Sequence, residues 1–338
     1  MSGTLCSART HRWAAGGAIA VATAAGGVLA LQAWVNGRLG DALGDGVAAA
    51  TVSDASSFLL LALFCPFLPG FRQGVDRLRS AVRRGPTDAL PLLMPRHFFG
   101  GVVGGVVVLS QATTTALLGA ALYTIALVAG QTLSGLWVDH HGVGPGPAVT
   151  ATPRRLAGAG MALVAVVLPL TTALTAGTLW MAALPFVAGL GLSWQMAVNG
   201  RLNVVARSPY PSVALNFLLG VAVVAVALAV DLMVAGLPRH WPHHALLYSG
   251  GLLGAVFVLL SVLLVRHIGV LVMGLAMVAG QTLGSLALDL TTGSSRSLDG
   301  LTLLSALIVV AAAFLATSAA AEPVTDPRHI PDREKAGV

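Results

Sequence analysis

Gln32-Ala33-Trp34-Val35-Asn36-Gly37-Arg38-Leu39 returns in the second half of the chain as Gln195-Met196-Ala197-Val198-Asn199-Gly200-Arg201-Leu202. A second string, Val128-Ala129-Gly130-Gln131-Thr132-Leu133, returns as Val278-Ala279-Gly280-Gln281-Thr282-Leu283, and Leu136 and Asp139 continue the match in Leu286 and Asp289. Gly100, Gly101 and Gly104 pair in the same way with Gly250, Gly251 and Gly254. Apolar composition alone could repeat the glycines. It hardly repeats both Gln-containing strings in the same order. The chain therefore contains one unit twice.

The unit is a membrane unit. Of 338 residues, 56% are apolar and 9% are charged, and mean hydropathy is +0.84. A soluble domain carries about 25% charged residues, so this composition points to an all-α protein that crosses the bilayer several times. Ten stretches are long enough to span: 13–35, 47–68, 98–117, 119–138, 156–176, 179–198, 212–236, 245–264, 269–288 and 300–320. A tight turn is required near Leu118. Each copy holds five spans, 13–176 in the first and 177–320 in the second. Five is odd, so the second copy enters the lipid from the opposite side, which makes an inverted-topology repeat. Residues 1–12 and 321–338 are left as polar tails.

Loop charge orients this arrangement. With the N-terminus in the cytoplasm, 16 of the 19 Lys+Arg fall on inner segments; Arg38, Arg239 and Arg296 are the outer three. That bias is the positive-inside signal, and it puts both termini in the cytoplasm. Arg9, Arg12 and the Ala/Gly/Val run after them also fit a cleaved signal peptide, but the repeat makes this span part of the fold. The basic 69–97 loop reads as an amphipathic helix on anionic lipid.

Several functions are excluded. The single lysine, Lys335, lies near the C-terminus. No lysine in the membrane body means no Walker A loop and no Schiff-base lysine. The net charge of +6 comes from arginines in short loops, a topology signal rather than a nucleic-acid surface. Cys6 and Cys65 have neither zinc spacing nor a plausible disulfide geometry. His240, His243 and His244 crowd one loop, with no cysteine or carboxylate to complete a metal cage. No cofactor is expected, and no Ser/His/Asp or paired-carboxylate constellation suggests an enzyme.

Polar residues within the spans are the candidates for function. Gln131 and Gln281 fall just past their helix centres, so inversion sets them roughly 8 Å apart in depth. Their amides read either as cavity lining or as interhelical hydrogen bonds. Gln32 and Asn36 share a helix face, as do Gln195 and Asn199. Each Asn precedes a glycine, Gly37 or Gly200, so these pairs read as helix-end caps or as two gates. Asp54 lies roughly 5 Å outward of its span centre. A carboxylate there is functional by default, as a proton carrier or a counter-ion for a cationic substrate. Its alternative is a neutral side chain bonded to Ser53, Ser56, Ser57 or another helix. Gln111 sits in a polar run, Ser110 to Thr115, that marks a substrate face or threonine back-bonding. Asp139 and Asp289 read as span-boundary markers.

The two strings also carry a resemblance. Gln-x-x-x-Asn-Gly-Arg-Leu at the end of a first span, and Val-Ala-Gly-Gln-Thr-Leu followed by Asp139 or Asp289, are similar to the YdcZ-type inner-membrane exporters of the drug/metabolite transporter superfamily. The likeness covers about 13–320 and is to the fused ten-span form. It implies a bacterial plasma membrane and secondary transport of a small molecule. Aligned on Asn36 and Asn199, Asp54 falls opposite Phe217, where the family pattern has Phe, and Ser53 falls opposite Asn216. The first half is thus more polar here than the family pattern. The expected function is export by alternating access, with protons as candidate coupling ions, as a monomer or homodimer. A membrane-embedded scaffold or assembly protein is the alternative.

Overall fold

The computed structural model describes the chain except for residues 1, 85–92, 146–147, 149–151, 171–175, 235, 239, 293–299 and 319–338. The tail 321–338 and the cations Arg239 and Arg296 lie outside the described residues. Among the described residues the secondary structure is entirely helical. The helices are α1 (Ser2–Leu43), α2 (Gly46–Phe64), α3 (Phe71–Arg84), α4 (Gly100–Leu118), α5 (Ala120–His140), α6 (Pro153–Leu170), α7 (Ala176–Ala206), α8 (Pro209–Val234), α9 (Gly250–Thr292) and α10 (Gly300–Ser318). Six helices of the described residues are long and apolar enough to cross a membrane: Gly17–Leu43, Gly46–Phe67, Pro95–Leu118, Ala120–His140, Trp180–Ala206 and Pro209–Val234. Gly250–Leu264 is a shorter apolar helix. The chain is a multi-pass membrane protein, because such helices satisfy their own backbone groups in lipid.

The helix ends are not where the sequence suggests. α1 runs through Asn36 and Gly37 to Leu43, and α7 runs through Asn199 and Gly200 to Ala206. The helix-end reading of Gln32, Asn36, Gln195 and Asn199 is therefore corrected: all four lie within their helices. The true stop after α1 is Gly44, at φ 65. There the N–H of Asp45 closes on Gly40 O at 3.0 Å. Asp45 then caps α2, its carboxylate accepting from Ala48 N at 2.8 Å. In the second half Arg207, at φ 52, takes the place of that glycine.

The turn expected near Leu118 is Gly119, at φ 83 and ψ 157, a conformation open to glycine alone. The first turn of α5 is capped from another helix. The carboxylate of Asp289 accepts from Ala120 N at 3.2 Å and Ala121 N at 2.8 Å. Asp289 is thus a cap on α5 rather than only the end of its own span. The basic segment becomes α3, and it docks on protein. Leu78 packs against Leu202, Val205 and Ala206 of α7, and Arg77 donates to Ala206 O at 3.1 Å.

α9 is helical throughout yet folds back on itself. Ser261 Oγ meets Met277 Sδ at 4.0 Å, whereas 16 residues of straight helix would separate them by roughly 24 Å. Its first arm runs antiparallel to α1: Gly250 lies against Asn36, and Gly254 against Gln32. Its second arm runs parallel to α1: Met277 lies against Gly26, and Gly284 against Gly27 and Ala30. α7 receives α4 and α5 in the same fashion. Gly100 lies against Asn199, Gly104 against Gln195, and Gly130 against Phe186 and Leu190.

The glycines of the repeated strings make these contacts. A Cβ on Gly280 would overlap Thr23 O, and one on Gly130 would overlap Phe186 O. Gly26 meets Met277 O as Gly189 meets Leu127 O. Such close approach supplies packing and backbone contact where lipid offers no hydrophobic drive between helices. The main core gathers Ala22, Leu29, Tyr123, Leu127, Leu192, Phe217, Phe257 and Met277 from both halves. Val128, Ala165, Val278 and Val309 form a second, smaller core, to which α5, α6, α9 and α10 each give one residue.

Candidate functional site

Where α1 and α2 face α7 and α8, a cavity of about 30 Å³ remains. It is lined by Leu29, Gln32, Asp54, Gly104, Val107, Val108, Leu192, Gln195, Asn216, Phe217, Gly220, Gly254, Phe257 and Val258. Under the repeat register most of these are mates: Leu29 with Leu192, Gln32 with Gln195, Gly104 with Gly254, Val107 with Phe257, Val108 with Val258, and Asp54 with Phe217. The two halves meet here with the same positions turned toward one another.

Polar side chains are placed by short bonds. Gln195 Nε2 donates to Asn216 Oδ1 at 2.8 Å, and Asn199 Nδ2 donates to the same oxygen at 3.0 Å. Asn199 Oδ1 faces Gly100, at the start of α4. In the first half the mate of Asn216 is Ser53, which has no amide, and the bonding differs. Asn36 Nδ2 donates instead to Gln111 Oε1 at 2.7 Å, and Asn36 Oδ1 faces Gly250 at the start of α9. Each Asn thus packs against the first turn of a helix from the other half, and Asn36 Oδ1 is buried there without a hydrogen-bond partner.

Asp54 is 2% exposed and reaches toward Gly220. Its Oδ2 and Gln195 Oε1 are buried without a hydrogen-bond partner. The bonds to Ser53, Ser56 or Ser57 that would neutralise its role are not made. Ser56 and Ser57 instead donate to Ser53 O at 2.9 and 3.0 Å, and Ser57 also to Gly251 O at 2.8 Å.

Of the residues singled out by sequence, Gln32, Asp54, Gln195 and Asn216 come together on this cavity. Asn36 and Asn199 flank it toward its two ends, and Gln111 is tied to Asn36. Gln131 and Gln281 stand apart from its lining. Their side chains meet, Gln281 Nε2 reaching Gln131 Oε1 at 3.5 Å. Gln131 Nε2 lies 3.8 Å from Met196 Sδ, and Gln131 O accepts from Ser193 Oγ at 2.7 Å. The pair bridges the halves. In the polar run, Thr113 and Thr114 back-bond to Leu109 O at 2.7 Å and Ser110 O at 2.8 Å, the bland alternative for those two.

Sequence reasoning missed the apolar walls, Leu29, Leu192, Phe217, Phe257 and Val258. It also missed Asn203, whose Nδ2 donates to Val262 O at 2.9 Å. Extending the repeat register along whole helices, rather than along the matched strings, is the signal that would have found them.

No curated protein matches the chain. A solved structure described as "Crystal structure of protein" superposes with a TM-score of 0.50 at 18% identity, covering 92% of this chain and 100% of that one. At that identity the likeness concerns the fold alone. The family model described as "Putative inner membrane exporter, YdcZ" matches residues 17–168 and 180–315. Together these stretches reach into every helix from α1 to α10 and include every residue of the cavity. The chain belongs to the DMT_YdcZ family of inner-membrane exporters.

Proposed function

We propose that the protein is a secondary transporter of ten membrane helices, built as two inverted five-helix repeats, 13–176 and 177–320. It exports a small molecule by alternating access, with the central cavity as the substrate site. One observation carries this reading: the cavity is walled by the same positions of both halves. A site shared by inverted halves can open toward either face by exchanging one set of contacts for its mate, at little net cost. Two further observations support it. The family match falls in two stretches, one in each half. The fold-back of α9 into two arms also supports it: with α3 set aside, the helices and arms of the described residues number ten, as the proposed ten crossings require. On this reading both termini lie in the cytoplasm of a bacterium, and one chain suffices for a complete site.

Asp54 is the single titratable side chain of the lining, so it is the group that would exchange a proton during the cycle. The test begins with cells making the wild type or Gly254→Leu, whose added side chain crowds Gln32 and fills the cavity. A solute should accumulate outside the wild-type cells alone. If the two cultures release the same solutes, the exporter reading fails. For the solute found, proton-driven flux in proteoliposomes should drop at least tenfold in Asp54→Asn. Undiminished flux would remove the proton assignment and leave export standing.

A further inference from the structure

We propose that the cavity recognises a protonated amine, its ammonium group held by Asp54 and Gln195 and its short hydrocarbon part by Leu192, Phe217, Phe257 and Val258. This rests on the reading of the cavity as the transport site.

Charge comes first. Asp54 is the one ionisable side chain among the lining residues, and no Arg, Lys or His stands with it. A carboxylate facing a space so closed in by apolar walls repels anions strongly, since little water is there to screen it. It favours a ligand that brings a positive charge and N–H donors.

Hydrogen-bond valence points the same way. Among the lining residues, the two side-chain atoms fully buried without a partner are Asp54 Oδ2 and Gln195 Oε1. Both are acceptors. The nitrogen of Gln195 is already committed to Asn216 Oδ1, which also takes Asn199 Nδ2. Those bonds fix the amide with its oxygen spare. An ammonium has three donors, so it can serve both oxygens and keep one donor for the amide oxygen of Gln32, which also lines the cavity.

Symmetry gives a third, independent argument. Leu29 and Leu192, Gln32 and Gln195, Gly104 and Gly254, and Val108 and Val258 are identical mates in the lining, and Val107 with Phe257 are both apolar. Asn216 and Gly220, whose mates are Ser53 and Ser57, differ without adding charge, and Asp54 against Phe217 is the departure that does. A duplicated site that sets a carboxyl group against a phenyl ring has a polar, acidic end and an apolar end. A short alkylammonium has the same two ends. The volume agrees: about 30 Å³ is room for roughly two waters, which suits an ammonium head and little more in this closed form.

Equilibrium binding of radiolabelled methylammonium to the full chain in lipid nanodiscs tests this without any flux. Saturable binding at one per chain is expected, displaced by isobutylammonium but not by its neutral isostere isobutanol or by the anion isobutyrate. Asp54→Phe, which copies the mate position, should weaken binding at least tenfold, and Asp54→Glu should retain most of it. The competition needs no variant, so it decides the matter even if Asp54→Phe does not fold. Absence of saturable binding, equal displacement by isobutanol or isobutyrate, or unchanged binding in a folded Asp54→Phe overturns the proposal. Export of a non-amine solute in the cell assay would then leave the transporter reading intact. Amine binding with no solute exported would sink that reading alone.

Discussion

Arg207 sits at φ 52, where its repeat mate, Gly44, sits at φ 65. The left-handed conformation costs a residue with a Cβ about 1–2 kcal/mol, and a glycine returns about 0.5–1 kcal/mol of that through its freer unfolded chain. Arg207→Gly should therefore stabilise the protein by roughly 0.5–1 kcal/mol, read as a higher midpoint in denaturant. An unchanged or lower midpoint would show that the arginine side chain has contacts worth the strain. The same corner shows what a sequence hides at this scale. Gly37 looks like a helix stop because it follows Asn36. It is a packing glycine instead: its missing side chain lets α1 approach Thr115 and Ala116. The real stop in the second half is an arginine, and nothing in its letter says so. Asp54, by contrast, was legible, because a carboxylate in an apolar run has few innocent explanations.

At the scale of helices, the glycines of Val-Ala-Gly-Gln-Thr-Leu are seats for a crossing partner. Gly130 and Gly280 each face a carbonyl of the helix from the other half, Phe186 O and Thr23 O. Gly280→Ala or Gly130→Ala forces those pairs apart and should cost about 1–3 kcal/mol, as overpacking does. Gly160 has nothing within 4 Å of the same position, so Gly160→Ala should be neutral or slightly stabilising. Parallel unfolding titrations in detergent check the contrast, and equal losses at all three sites would refute it. A second element-scale prediction concerns the cap on α5. Asp289→Ala leaves the N–H groups of Ala120 and Ala121 without their carboxylate and should cost about 1–2 kcal/mol. Asp289→Asn keeps an acceptor and should lose less. If Asn and Ala are equivalent, the carboxylate does not act as a cap. The six long apolar helices were readable from hydropathy. That Asp289 caps a helix of the other half was not, because such a contact depends on how the halves dock.

For the whole molecule, the two ends of the central cavity are closed by different means. At the Arg38 end, Gln111 fills the passage between α1 and α4 and accepts from Asn36 at 2.7 Å. Farther out, Gly40 rests directly on Ala112 O. At the Arg201 end the mate of Gln111 is Ser261, too short to reach Asn199. A void of about 10 Å³ remains there between α7 and α9, lined by Gln195, Met196, Asn199, Phe257 and Ser261 among others. The mate of Gly40 is Asn203, whose side chain spans to Val262 O at 2.9 Å. Between α1 and α4 one end is thus closed by a side chain and by backbone contact; between α7 and α9 the other has an amide spanning beside a small void. On the proposed orientation Arg201 lies on the inner side, and an exporter that loads from the cytoplasm would need its easier opening there. A cysteine at Val108, on the cavity wall of a chain lacking Cys6 and Cys65, should therefore react faster with a polar thiol reagent applied from the Arg201 side. Asn203→Ala should raise that rate several-fold and leave labelling from the Arg38 side alone. Gln111→Ser should do the reverse, since it gives the first half the short side chain of the second. If both substitutions raise labelling equally from both sides, the two ends are not separate gates, and Gln111 and Asn203 are packing residues only.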